Sequence, residues 1–276
     1  MIADLRLGGA VVAGYRDGAD LPAHLGPRPH LHPVRTLRGT AVTAVRPADH
    51  PWHLGFSLAA QDVDGWNLWG GATYLRGLGY VQRADHGRIE HLGFDEVRPN
   101  ELRQRLHWCA PDGSVLLAER RLLRSLPAAD GWELDVRAEL TNPTGRDIRI
   151  GSPATNGRAG AGYGGFFWRL PGAGEPFTAD AAGEAEVHDR TAPWLAWAGR
   201  DHTLVFTGAE PDPWFVRTSD YPGVGAQLAS REPVVLAPGA VLARGLRVLI
   251  ADGALDRAAA RRWAETEPRE RVRGSG

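Results

Sequence analysis

At 276 residues, 43% hydrophobic and 24% charged, the chain has ordinary globular composition with ample material for a core. A formal net charge of −1 leaves no electrostatic footprint for nucleic acid or an anionic membrane surface. Every basic residue is arginine, which excludes a Schiff-base lysine and any phosphate loop ending in Gly-Lys.

The opening stretch, "MIADLRLGGAVVAGYRDG", carries Asp4 and Arg6 and no long apolar segment, so it does not read as a signal peptide. No later run reaches the roughly 18 apolar residues of a membrane span. With a single cysteine, Cys109, an internal disulfide is excluded, and the expectation is a cytoplasmic protein with no membrane partner. Cys109 itself reads as a small buried hydrophobe beside Trp108.

Strands are predicted over 9–16, 31–37, 40–46, 53–60 and 87–97, between Gly, Pro, Asn and Asp turn signals. Segments 101–110 and 114–126 form a hairpin through Pro-Asp-Gly at 111–113. The clearest period of two is "GWELDVRAELTN", where Trp132, Leu134, Val136, Ala138 and Leu140 share one face. Further strands are expected at 146–150, 164–169, 203–208, 213–218 and 241–250, and 171–190 reads as a surface loop. Only 252–266 reads as a helix, capped by Asp252 and apolar along Leu255, Ala259 and Trp263. The fold class is therefore all-β: a large antiparallel two-sheet sandwich with one C-terminal helix. Residues 1–266 form a single domain in this reading, and 267–276 a disordered tail.

"GAGYGG" (160–165) fits Gly-x-Gly-x-x-Gly, but no strand precedes it and "FFWRLPG" follows where a helix should open. A dinucleotide site is rejected; the glycines let backbone pass close to a neighbour or ligand. The chemistry concentrates instead in "ADHPWHLGFSLAAQDVDGWNLWGG" (48–71). Pro51 keeps His50 out of helical geometry and breaks strand alternation, so His50 and His53 are free to face one cavity. Asp49 stands ready to fix a ring tautomer. His50 and His53 are the candidate acid–base pair and, if a divalent metal is the cofactor, its candidate ligands, although no third ligand is fixed by spacing. Asp62, Asp64 and Asn67 lack the spacing of a calcium loop.

Trp69, Trp168, Trp214 and Tyr163 are candidate walls for a sugar ring, with His32, Asn67, His91 and Arg158 as polar readers. Arg217, in "PWFVRTSDYPG", is the candidate electrophile.

The blocks "RPHLHPVRTLRGTAVT", "ADHPWHLGFSLAAQDVDGWNLWGG", "GRIEHLGF", "SPATNGRAGAGYGGFFWRLPG" and "DPWFVRTSDYPGVGAQL" resemble a bacterial family of unknown function labelled PmoA-like, or "methane oxygenase PmoA". Trp52 stands where that family often has histidine. The resemblance implies a galactose-mutarotase-like supersandwich with a small-molecule carbohydrate as ligand. It also implies 3-keto sugars, with a sugar oxidoreductase as functional partner. The leading expectation is a carbohydrate-active enzyme cleaving a 3-keto-glycoside by acid–base chemistry, as a lyase or hydrolase. An epimerase or mutarotase and a non-catalytic carbohydrate-binding module remain open beside it, with a metal-dependent oxygenase as a weaker third.

Overall fold

The period-two segment becomes the strand Gly131–Thr141, the middle of an eight-stranded antiparallel sheet in the computed structural model, which describes residues 2–266. The expected tail at 267–276 lies outside the described residues. In spatial order this sheet runs Glu175–Phe177, Trp194–Ala198, His202–Thr207, Val241–Asp252, Gly131–Thr141, Val115–Ala128, Glu101–Cys109 and Arg88–Arg98. A seven-stranded sheet lies against it, ordered Ala3–Leu7, Ala10–Arg16, His30–Val34, Phe56–Ala59, Gly165–Arg169, Gly223–Ala226 and Trp214–Arg217. The protein is thus a mostly β, antiparallel two-sheet sandwich, as its alternating pattern predicts.

Trp132, Leu134, Val136, Ala138 and Leu140 are buried in the same core cluster as Phe56, Phe166 and Trp168 from the facing sheet. Burial of each of the larger aliphatic side chains, Leu134, Val136 and Leu140, contributes about 1.5–3 kcal/mol. The opposite face of Gly131–Thr141 is covered only in its first half, and Arg137 and Glu139 beyond it are exposed. Glu133 and Asp135 are buried in that first half, paired with Arg247 at 2.8 Å and with Arg124 respectively. A second cluster, with Trp194, Leu249 and Ala260 in it, seats the helix Arg257–Ala264 and its Trp263 on that outer face.

Several predicted elements differ. The strand expected at 40–46 is replaced by two isolated bridges, Arg35 to Ala41 and Val45 to Leu54. Arg46 takes a left-handed φ of 49° and Pro47 follows, so the pleat cannot continue. The helix begins later than expected because Asp252 ends the strand Val241–Asp252; Asp256 caps it instead, accepting from Ala259 N at 2.7 Å. The supposed loop 171–190 contains the edge strand Glu175–Phe177 and a single helical turn, Glu184–Val187, with Phe177 and Val187 buried. Trp194–Ala198, absent from the sequence reading, has Trp194, Leu195, Ala196 and Trp197 all buried, so no alternation marks it.

Candidate functional site

The two inner rows of aromatic residues in Gly165–Arg169 and Trp214–Arg217 obey the period of two. Phe166 and Trp168 point into the core, where Trp168 packs against Phe206 at 5.7 Å and donates to Val42 O at 2.7 Å. Phe167 and Arg169 therefore face outward. In the next strands Phe167 pairs with Gly225 and Gly225 with Phe215, while Arg169 pairs with Gly223 and Gly223 with Arg217. The outer face thus carries a Phe–Gly–Phe row beside an Arg–Gly–Arg row. A Cβ on Gly223 would sit 2.9 Å from the Phe167 ring, so glycine is what lets that ring lie along the sheet.

A cleft of about 530 Å³ opens on this outer face. His50, His53, Trp69, Arg158, Tyr163 and Arg217 all line it, together with Trp52, Gln61, Tyr80, Phe215, Asp220 and Tyr221. His53 N donates to His50 O at 2.9 Å across the Pro51–Trp52 turn, which brings both imidazoles to one side. Their rings stack with centroids 4.7 Å apart and planes 17° from parallel. Tyr221 closes over both, 4.5 Å from His50 and 4.8 Å from His53, and Phe167 supports His53 at 4.9 Å.

His50 Nδ1–H donates to Asp49 Oδ2 at 3.0 Å, and Arg169 Nη2 donates to the same oxygen at 3.0 Å. The carboxylate therefore fixes the tautomer that leaves His50 Nε2 as an acceptor. Partial burial raises the Asp49 pKa, but the bond from His50 and the Arg169 charge outweigh it and hold the group below its ordinary value. His53 is 1% exposed and its Nδ1 has no partner among the described residues. Burial, reinforced by the neighbouring His50, Arg169 and Arg28, pushes its pKa well below the usual histidine value, so the ring is neutral near pH 7.

The tryptophan wall hangs on Arg28, a residue the sequence reading passed over. This guanidinium is fully buried and donates to Gly26 O and Trp69 O at 2.8 Å, Trp52 O at 3.0 Å and Ser57 Oγ at 3.1 Å. Burial lowers its pKa to about 9, so it stays charged near neutrality. Asn67 holds the same wall from the other end. Its Oδ1 accepts from Trp69 N and Gly70 N at 2.9 Å, and its Nδ2 donates to Thr73 Oγ1 at 2.9 Å. Gly71, at φ 70°, lies against the Trp52 indole, where a Cβ would come within 2.6 Å of the ring.

Asn67 thus shapes a loop and does not reach the cleft. Trp168 and Trp214 are each 1% exposed, because the alternation that sends Phe167, Phe215 and Arg217 outward sends them inward. His32 bonds Thr43 Oγ1 at 3.0 Å beside a different hollow, and His91 bonds Tyr15 Oη at 3.1 Å on the edge strand of the larger sheet. Trp69 lines the cleft with only 1% of its surface exposed, so the half-buried Trp52 is the more open indole. Gln61, Tyr80 and Tyr221, unmarked by any motif, complete the lining. Arg217 is tethered, donating to Gly160 O at 3.0 Å and to Glu184 Oε1 at 3.4 Å.

Among the described residues no three His, Cys, Asp or Glu side chains gather into a set that would hold a metal ion. The His50 and His53 planes are nearly parallel, so their lone pairs do not converge on one point, and the pair does not fit a shared ion.

Residues 3–265 match the family described as DUF6807, a family of unknown function. The chain belongs to DUF6807. That description names no activity, methane oxidation included. Among curated proteins nothing matches the chain. A solved structure of a protein assigned as an aldose 1-epimerase from Escherichia coli K12 is 10% identical, covering 71% of this DUF6807 chain and 81% of its own, at TM-score 0.34. A polysaccharide lyase is 12% identical over 91% of this chain and 34% of its own, at TM-score 0.35. A GH36 alpha-galactosidase from Geobacillus stearothermophilus, solved with raffinose, is 9% identical over 80% and 30%, at TM-score 0.34. This chain spans about a third of the length of the latter two. Among the described residues of this DUF6807 protein no helix is long and apolar enough to cross a membrane.

Proposed function

We propose that the cleft binds a sugar in its keto form and cleaves its glycosidic bond by acid–base elimination. The observation that carries this reading is the His50–His53 stack, with His50 oriented by Asp49, inside a cleft lined by tryptophan, phenols and arginines. Half-buried aromatic residues bearing hydroxyls suit a ligand that is apolar on its ring faces and polar at its edge.

The carboxylates argue for elimination over direct hydrolysis. Glycosidases typically flank the scissile bond with two carboxyl groups. Among the described residues Asp220 is the one carboxylate lining the cleft, and Asp49 is engaged by His50 and Arg169. A histidine base instead suits removal of a C–H proton made acidic by a neighbouring ketone. His50 Nε2 takes the proton from C2 of a 3-keto-glycoside, the C1=C2 bond forms, and the C1–O bond breaks. In this reading Arg217, which lines the same cleft, holds the enolate oxygen, with the neutral His53 as the second imidazole beside the base. The products are a sugar enone and the free alcohol. A sugar oxidoreductase acting at C3 would supply such a substrate.

Proton NMR of the protein with an aryl glucoside and with its 3-keto analogue tests this reading, with His50→Ala as control. Aglycone release from the keto compound alone, lost in the variant, is the expected result. Line broadening without product would leave a sugar-binding protein, and no response to either compound would overturn the proposal.

A further inference from the structure

Four side chains at one end of the cleft form a continuous hydrogen-bonded chain. Arg158 Nη1 donates to Tyr80 Oη, Tyr80 Oη and Tyr163 Oη lie 3.0 Å apart, and Gln61 Nε2 donates to Tyr163 Oη at 2.7 Å. Gln61 Nε2 also donates to Ala72 O at 3.1 Å, which fixes the amide with its nitrogen toward the phenol. The Arg158 guanidinium lies over the Tyr80 ring at 5.0 Å and has no carboxylate partner among the described residues.

Each phenol oxygen already accepts one bond, Tyr80 from Arg158 and Tyr163 from Gln61. The bond between the two phenols consumes one of their two O–H groups, whichever way it points. One phenol O–H is therefore uncommitted in either arrangement. All four residues line the cleft, so this donor belongs to whatever occupies it. Trp69 is near both groups, its ring 5.2 Å from that of Tyr163 and 5.9 Å from that of His53.

We infer that the Tyr80–Tyr163 pair is the proton donor to the leaving glycosidic oxygen, opposite the imidazole end of the same cleft; this rests on the elimination reading above. As the C1–O bond breaks, its electron pair takes the phenol proton. The resulting phenolate is held by the remaining phenol O–H and by the Arg158 charge, or by Gln61 on the Tyr163 side. The proton removed from C2 returns from His50 through solvent, so no other reactant is needed. Burial raises the Tyr163 pKa well above the ordinary phenol value, and the Tyr80 phenol beside it adds to the rise. Tyr163 therefore enters the reaction protonated, as a donor requires.

Because either phenol alone can still present one O–H, the two substitutions are expected to be synergistic. Turnover of 3-keto-glucosides with a nitrophenyl and with an alkyl aglycone is compared for wild type, Tyr80→Phe, Tyr163→Phe and the double variant. Each single variant loses about tenfold or less. The double variant loses about 10²- to 10³-fold on the alkyl glycoside, more than the product of the single losses, and much less on the nitrophenyl compound, whose oxygen leaves unprotonated. A multiplicative loss, or an equal loss on both aglycones, overturns the inference while wild-type turnover still supports the elimination. No wild-type turnover of either compound overturns both. Phenylalanine keeps both rings, and an unchanged thermal midpoint confirms an intact fold.

Discussion

His50 and Asp49 are held at 3.0 Å, and Arg169 clamps the same carboxylate from the opposite side, donating to Asp49 Oδ2 at 3.0 Å and Oδ1 at 3.2 Å. A base oriented by its own sequence neighbour is a short-range device, but the clamp that steadies it comes from the neighbouring strand Gly165–Arg169.

Replacing Asp49 by Asn removes the negative charge that holds His50 Nδ1–H and Arg169, and sets an amide N–H in competition at that position, while keeping the size of the side chain. On a 3-keto aryl glucoside, kcat is expected to fall about 10²-fold with KM within a few-fold of wild type. A steady-state series with His50→Ala beside it checks this. Equal loss in KM and none in kcat would make Asp49 a binding group only.

Arg28 ties Trp52 and Trp69, the two indoles of one wall, to a single buried charge. Arg28→Met leaves the carbonyls of Trp52, Trp69 and Gly26 without that donor, and is expected to cost about 3–5 kcal/mol in urea unfolding. Arg28→Lys does not rescue it, since an ammonium cannot span the same fork of acceptors.

Trp52→Ala and Trp168→Phe should separate cleft from core. The first weakens sugar binding, read by line broadening or calorimetry, with a modest change in stability. The second lowers stability by roughly 1–3 kcal/mol, through lost packing and the lost bond to Val42 O, and leaves ligand affinity unchanged.

Acid should destabilise the fold through its buried neutral imidazoles. Burial, partly countered by a bond to the Arg28 carbonyl, brings His30 down to about 4, and His53 is also well below its ordinary value. Below an unfolded pKa of about 6.5 the unfolded chain takes up protons that the fold refuses. Stability is therefore full above that pH and falls as pH drops toward the folded values, by up to about 1.4 kcal/mol per pH unit for each group. Urea unfolding at pH 7 and pH 5 checks the sign, and His30→Gln should show a smaller loss than wild type.

Period-two patterning made most of the sheets legible, since Gly131–Thr141, Glu101–Cys109 and Val115–Ala128 each have one face against the core. It failed for Trp194–Ala198, covered on both faces, and for Gly223–Ala226, whose glycines carry no pattern. At the site, the His-Pro-Trp-His turn announced itself because proline restricts its neighbour. Trp168 and Trp214 were misleading because "FFWR" and "PWFVR" show which residues alternate but not which set faces the core. Arg28 carried no signal at all: its partners are backbone carbonyls, and a bond to a carbonyl leaves no trace in the partner's residue type.

The Arg28 clamp also divides the cleft mechanically. With Trp52 and Trp69 fastened to one interior post, that side cannot swing independently of the body. Breathing that admits and releases a ligand falls to the opposite bank, where Tyr80, Arg158 and Asp220 are open to solvent. Amide exchange should accordingly be fast around 76–80 and 218–221 and slow at Trp69 and Gly70, whose amides bond Asn67, and a ligand should slow the first set far more than the second.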